Sequence, residues 1–195
     1  MPWKNTRDSF GIVARLFHWT SAAAFILAYV VVYYLLWLVD KEAPNRLPIL
    51  NVHWALGLIV GFLVLPRLLW RLLDVTPDEV PGAPAEHLLA RLAHWGLYAL
   101  MIIMPLSGYL GTRLGTDFGL FYIPSFKDTA LFAWIAETWQ ISWEQFEKPI
   151  DAVHHITGAW VAWVVVALHV AAALFHHWVR RDATLVRMLN GRGER

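Results

Sequence analysis

Four stretches of this 195-residue chain are long and apolar enough to cross a bilayer, at about 12–38, 48–70, 88–112 and 152–179. A helix needs about twenty mostly apolar residues to span the hydrocarbon. Inside lipid the backbone must also satisfy its own hydrogen bonds. The chain is thereby confined to an all-α membrane protein, a bundle of four transmembrane helices, read as one domain over residues 1–195. Composition agrees: 58% of residues are apolar and 16% charged, against roughly half and a quarter in soluble domains. The net charge of +1 gives no general affinity for nucleic acid. The first apolar run is too long for a cleavable signal peptide and reads as a retained span.

The linkers differ in kind. DKEAPNRLP is short. LLDVTPDEVPGAPAEH, rich in proline and acid, reads as an ordered turn without regular structure. The third, about 113–151, is the long outer loop. In it Trp134, Trp139 and Trp143 suggest a stretch at the membrane interface, in part a short amphipathic helix. Lysine and arginine set the orientation. The termini and second linker, with their flanks, carry Lys4, Arg7, Arg15, Arg67, Arg71, Arg91, Arg180, Arg181, Arg187, Arg192 and Arg195. The other two linkers carry only Lys41, Arg46, Arg113, Lys127 and Lys148. Both termini are expected in the cytoplasm.

Histidines mark two depths of this bundle. His155 and His169 lie fourteen residues apart in the fourth span. At about 100° and 1.5 Å per residue they share a face to within roughly 40° and stand about 21 Å apart. His18 falls in the cytoplasmic half of span one, and His53 in the outer half of span two. The levels match as His18 with His169 and His53 with His155. Three spans open on a His-Trp pair, at Trp19, Trp54 and Trp95, which interfacial tryptophan explains without duplication.

Ionisable groups inside spans face the bundle interior and mark function. Neutral imidazole is a good iron ligand, and four at two levels suit two haems, each gripped by two imidazoles. Such iron has no open position and favours electron transfer. The chain lacks cysteine, so thiolate sites and covalent c-type haem are excluded. A lone histidine near a helix end is ordinarily interfacial; four at matched depths are not. Zinc or proton transport is the rival, weakened because no acid lies near the middle of any span. Gly57, four after His53, and Gly158, three after His155, leave room for a porphyrin beside the backbone. Gly57 and Gly61 also form G-x-x-x-G, which means close helix packing.

Several neighbours compete or assist. His154 is rotated about 60° from His169's face rather than 40°, so geometry barely separates it from His155. His94 lies at the depth of His18 and could ligate in its place, bond a propionate or line a quinone pocket; a supporting role is preferred. Arg67, fourteen after His53, points to the inner level, where it could pair a propionate. Arg15, one turn before His18, could do likewise. The plainer reading of both is a positive-inside anchor. His87 is expected to face water, and His176 and His177 the interface.

At this point the chain resembles the bacterial cytochrome b561 family. The resemblance is carried by WKNTRDSFGIVARLFHW, by LPRLLWRL closing span two, by AHWGLY and MPLSGYL in span three, and by ALHVAAALFHHWVRRDATLVRML. It implies four transmembrane helices and two haem b groups, with ligands at His18, His53, His155 and His169. It implies electron transfer between a periplasmic-side donor and membrane quinone. The superoxide oxidase branch implies superoxide as donor and ubiquinone as substrate. More distantly, the chain is similar to cytochrome b subunits of hydrogenases and formate dehydrogenases, which implies the alternative of a non-catalytic link from a dehydrogenase, hydrogenase or periplasmic redox protein to quinone. Against superoxide, the outer linkers carry five basic residues and eight acidic ones (Asp40, Glu42, Asp117, Asp128, Glu137, Glu144, Glu147 and Asp151), where anion steering needs a positive funnel.

Overall fold

Each apolar stretch is a helix in the computed structural model, which describes residues 2–193. Arg195, one of the basic residues assigned to the cytoplasmic side, lies outside them. Helix α1 is Ile12–Leu38, α2 is Arg46–Leu73 and α3 is Pro84–Leu110. The fourth is continuous from Trp143 to Arg180. It comprises α5 (Trp143–Ile156), a π turn (Thr157–Val161), α6 (Ala162–Phe175) and a second π turn (His176–Arg180). A short α7 (Thr184–Leu189) follows. All four long helices are apolar enough to cross a membrane. Large apolar side chains such as Val30, Phe62, Leu69 and Leu168 are exposed along them, as lipid-facing positions require.

The chain forms two compact units. The terminal unit contains the segment ending at Ser21, Leu63–Leu100 and the segment from Trp160 onward. Its second linker has no helix or strand between residues 75 and 83, as its prolines predict, so its backbone groups need other partners. Asn5 supplies one, its side-chain amide donating to the Val75 carbonyl at 2.8 Å, and its N–H donates to the Asp74 carboxylate at 2.9 Å. The Arg187 guanidinium donates to the Asp78 carbonyl at 2.8 Å, and Arg180 to the Pro81 carbonyl at 2.9 Å and the Glu86 carboxylate at 2.7 Å. Helix α7 is bound in turn by Arg15, donating to the Leu189 carbonyl at 2.7 Å, and by the Trp19 indole, donating to Met188 at 2.9 Å. Gly11 is where the amino-terminal segment folds back: a Cβ there would stand 2.4 Å from the backbone of Trp3 and Lys4.

The loop unit is Ala22–Phe62 and Met101–Ala159. Its long loop folds around Phe126, Phe132 and Trp143, with Tyr109 and Phe146 against them. Two-residue strands β1 (Thr116–Asp117) and β2 (Tyr122–Ile123) pair antiparallel. The expected amphipathic helix is α4 (Ala130–Trp139), opened by Thr129, whose hydroxyl accepts from the Phe132 N–H. Residues 143–151, expected in the loop, are helical. Ser142 and Gln145 form a capping box that starts the helix, while Glu144, Glu147 and Lys148 hide it from a hydropathy reading. Trp143, expected at the interface, is 5% exposed, and its indole donates to Glu147. Gly61 packs as the glycine motif predicts, its Cβ position 3.0 Å from Pro105.

Candidate haem-ligand clusters

The loop unit brings His53 and His154 together, with ring centres 6.2 Å apart and planes at 87°. The expectation that His155 faces His53 is corrected: His155 is exposed and His154 takes the inward position. The count from His169 assumed α-helical steps throughout. The π turn at Thr157–Val161 adds one residue to that register, so the inward face falls one position earlier.

Both inward rings have a defined tautomer. His53 Nδ1 lies 2.9 Å from the Ala28 carbonyl, and His154 Nδ1 lies 3.1 Å from the Met104 carbonyl. A carbonyl only accepts, so each Nδ1 carries the proton and each Nε2 keeps a lone pair. That is the arrangement of a metal-binding histidine with its outer hydrogen bond in place. A small, half-open cleft adjoins the two rings. Gly57 lines it, and a Cβ at Gly57 would meet nothing within 4 Å. Gly158, the other expected small neighbour, serves packing instead: its Cβ position is 3.0 Å from Met104, and its carbonyl accepts from the Tyr29 hydroxyl at 2.7 Å.

The terminal unit brings His18, His94 and His169 together. His18 and His169 have ring centres 6.2 Å apart, and His94 and His169 5.7 Å. Arg67 Nη2 lies 3.2 Å from His18 Nδ1. Arg67 and Arg71 also lie over the Tyr98 ring, at 5.5 and 5.8 Å from its centre. Ser21, one turn past His18, is 2% exposed, and among the described residues its hydroxyl has no hydrogen-bond partner. Arg15, one turn before His18, donates to the Leu189 carbonyl at 2.7 Å. His87 pairs with Glu79 at 3.1 Å, and His176 with Asp182 at 2.5 Å.

Metal–nitrogen bonds of about 2 Å, plus the ring radii, set two imidazoles on one iron roughly 6 Å apart between centres. Both 6.2 Å pairs fit that spacing, and the free Nε2 lone pairs of His53 and His154 fit the chemistry. Among the described residues no group of three or more His, Cys, Asp or Glu forms a cage for a bare metal ion. The donor sets are paired imidazoles, which suit iron already held by a porphyrin.

Sequence reasoning missed Ser107 and Gly108, both in MPLSGYL. The Ser107 hydroxyl is 3.1 Å from His154 Nδ1, and a Cβ at Gly108 would be 3.1 Å from His154 Cε1. A Ser-Gly pair within an apolar helix was the available signal, but nothing in it names His154 as the neighbour. Outside the spans, hydrogen bonding to Glu147 at 2.6 and 3.0 Å raises the Arg113 pKa. Glu144 lies 3.5 Å from the same guanidinium.

A family profile described as "Prokaryotic cytochrome b561" matches residues 9–191. The chain is 29% identical to "Cytochrome b561 homolog 2" of Escherichia coli (strain K12), over 97% of this chain and 95% of that protein. It is 28% identical to "Cytochrome b561 homolog 1" of the same organism, over 88% and 92%. It is 32% identical to "Probable superoxide oxidase CybB" of Yersinia pestis, over 71% of this chain and 73% of that protein.

Proposed function

The chain belongs to the prokaryotic cytochrome b561 family, membrane electron-transfer proteins for which haem b is implied, and from that premise we propose that it holds two haem b groups and passes electrons from a periplasmic-side donor to membrane ubiquinone. His53 and His154 grip the outer haem; His18 and His169 grip the inner one. The observation that carries this reading is the paired imidazoles at 6.2 Å, two of them with Nδ1 on backbone carbonyls. His154 replaces His155 because it faces His53 and has that carbonyl partner.

Haem iron supplies one-electron chemistry, and two imidazole ligands close it to oxygen. The residues around it orient and balance charge. His53 and His154 present Nε2 because Ala28 and Met104 hold Nδ1–H. At the inner site Arg67 can only donate, so its contact with His18 Nδ1 needs the proton on His18 Nε2. A haem held through His18 Nε2 would need that proton on Nδ1 instead, and Arg67 would then be available to a carboxylate such as a haem propionate. His94, beside His169, supports the ring rather than the iron.

Superoxide is the proposed donor, supported by likeness to a protein named probable superoxide oxidase. Two superoxide ions give one electron each and leave as oxygen; ubiquinone takes both electrons with two protons. The outer surface favours a second reading. Arg113 is engaged by Glu144 and Glu147, and Arg46 donates to the Leu35 and Val39 carbonyls at 3.1 Å. Less positive charge is left for anion steering, and a redox protein with a basic face suits the acidic balance. Purified protein decides in two steps. A haem count with a redox titration should give two b haems per chain; a folded, colourless preparation refutes the reading. Stopped-flow mixing should then show haem reduction by superoxide and reoxidation by ubiquinone. Reduction no faster than superoxide's spontaneous loss leaves the protein-donor reading.

A further inference from the structure

We propose that Ser107 is a positioning residue that sets the reduction potential of the outer haem through the Nδ1–H of His154. The proposal rests on the haem reading above and assigns a task to a residue which that reading leaves unused.

Ser107 is 6% exposed. Its Oγ lies 2.6 Å from the Ile103 carbonyl, 3.3 Å from the Met104 carbonyl and 3.1 Å from His154 Nδ1. A hydroxyl has one proton and two lone pairs. The shortest contact takes the proton to Ile103, as serine does one turn back in a helix. The Met104 carbonyl, 3.1 Å from His154 Nδ1, keeps the imidazole proton on Nδ1. Ser107 Oγ therefore accepts from His154. One N–H is shared between a carbonyl and a hydroxyl, whereas among the described residues His53 Nδ1 has a single such acceptor, the Ala28 carbonyl. Gly108, whose Cβ would stand 3.1 Å from His154 Cε1, lets the ring come this close.

An acceptor on Nδ1–H pushes electron density through the ring to Nε2 and makes it a stronger donor. The oxidised iron, one positive charge higher, gains more from that donor than the reduced iron. Ser107 thus holds the outer potential down, and its removal raises it. A serine that merely caps its own helix turn would leave the iron unaffected.

The test is Ser107→Ala in the full chain, purified with its haems, with both potentials measured by equilibrium redox titration. The shift is the difference in that bond's strength between the two oxidation states, so a bond of about 1 kcal/mol caps the rise in the reduced-to-oxidised ratio of the outer haem at roughly fivefold at fixed potential. The inner haem should not move. Ser107→Thr keeps the hydroxyl and should restore the wild-type outer potential. Ser107→Cys keeps the side chain's size with a weaker acceptor; it should shift the outer haem the same way and by less, and serves if the alanine variant does not fold. An unchanged outer potential in the variants, or equal shifts of both haems, overturns the proposal. A wild-type preparation without haem overturns instead the reading beneath it.

Discussion

Replacing Gly108 with alanine probes how closely span three holds the outer ligand. The new methyl carbon would stand 3.1 Å from His154 Cε1 and 3.4 Å from Nδ1, so the ring must retreat by a few tenths of an ångström. It has little room to do so, because Nδ1 is already 3.1 Å from both Met104 O and Ser107 Oγ, and further stretching approaches the limit of a hydrogen bond. Overpacking of this kind costs about 1–3 kcal/mol. Alanine also gains about 1 kcal/mol in helix propensity over glycine, but that gain is the same with and without haem. Outer-haem affinity should therefore fall by about five- to 150-fold. Gly96→Ala is the control, since its Cβ would meet only Val165 Cγ1, at 3.8 Å. The assay is the rate of haem transfer from purified protein to an excess of a haem-scavenging apoprotein. Gly108→Ala should lose one haem quickly and keep the other; Gly96→Ala should lose neither. Equal rates for wild type and Gly108→Ala would refute the claim that this contact positions the ligand.

Three other outcomes follow from the same geometry. His154→Ala should halve the haem content, while His155→Ala should keep both haems; the reverse result would restore His155 as the ligand. Asn51→Ala should free the outer hairpin, because Asn51 both donates to the Asp117 carbonyl at 2.7 Å and accepts from its N–H at 2.9 Å. Chymotrypsin should then cut faster at Phe121 and Tyr122, and an unchanged rate counts against the latch. Burial alone would raise the Asp182 pKa, but hydrogen bonds from Thr184 and His176 outweigh it and hold the carboxyl below its ordinary value. A depressed carboxylate stabilises the fold above its unfolded pKa and loses that effect as pH falls through the folded one. Hydrogen exchange at Thr184–Leu189 should be steady near neutrality in this respect and rise below about pH 4. Asp182→Asn should raise exchange at neutral pH; wild-type exchange there indicates that this contact does not hold α7.

Hydropathy and length alone delimited the spans, because a bilayer asks only that enough consecutive residues be apolar. Helix α1 matches the expected 12–38 at both ends. The same simplicity explains the error at residues 143–151, where a capped polar helix continues an apolar one. Histidine spacing suggested two groups of inward rings, and each unit holds one: His53 with His154, and His18 with His94 and His169. What it could not do was choose between two adjacent histidines. That choice turns on a single π turn, and on a Met104 carbonyl fifty positions from His154 in the chain. The same holds for Trp143, exposed by its local sequence yet buried by Phe126 and Phe132, and for Arg15, taken up by the Leu189 carbonyl. Local sequence sets which residues are helical and at what depth they lie. Which of them face one another is set by contacts between segments distant in sequence, whose hydrogen bonds and close approaches are decided one residue at a time.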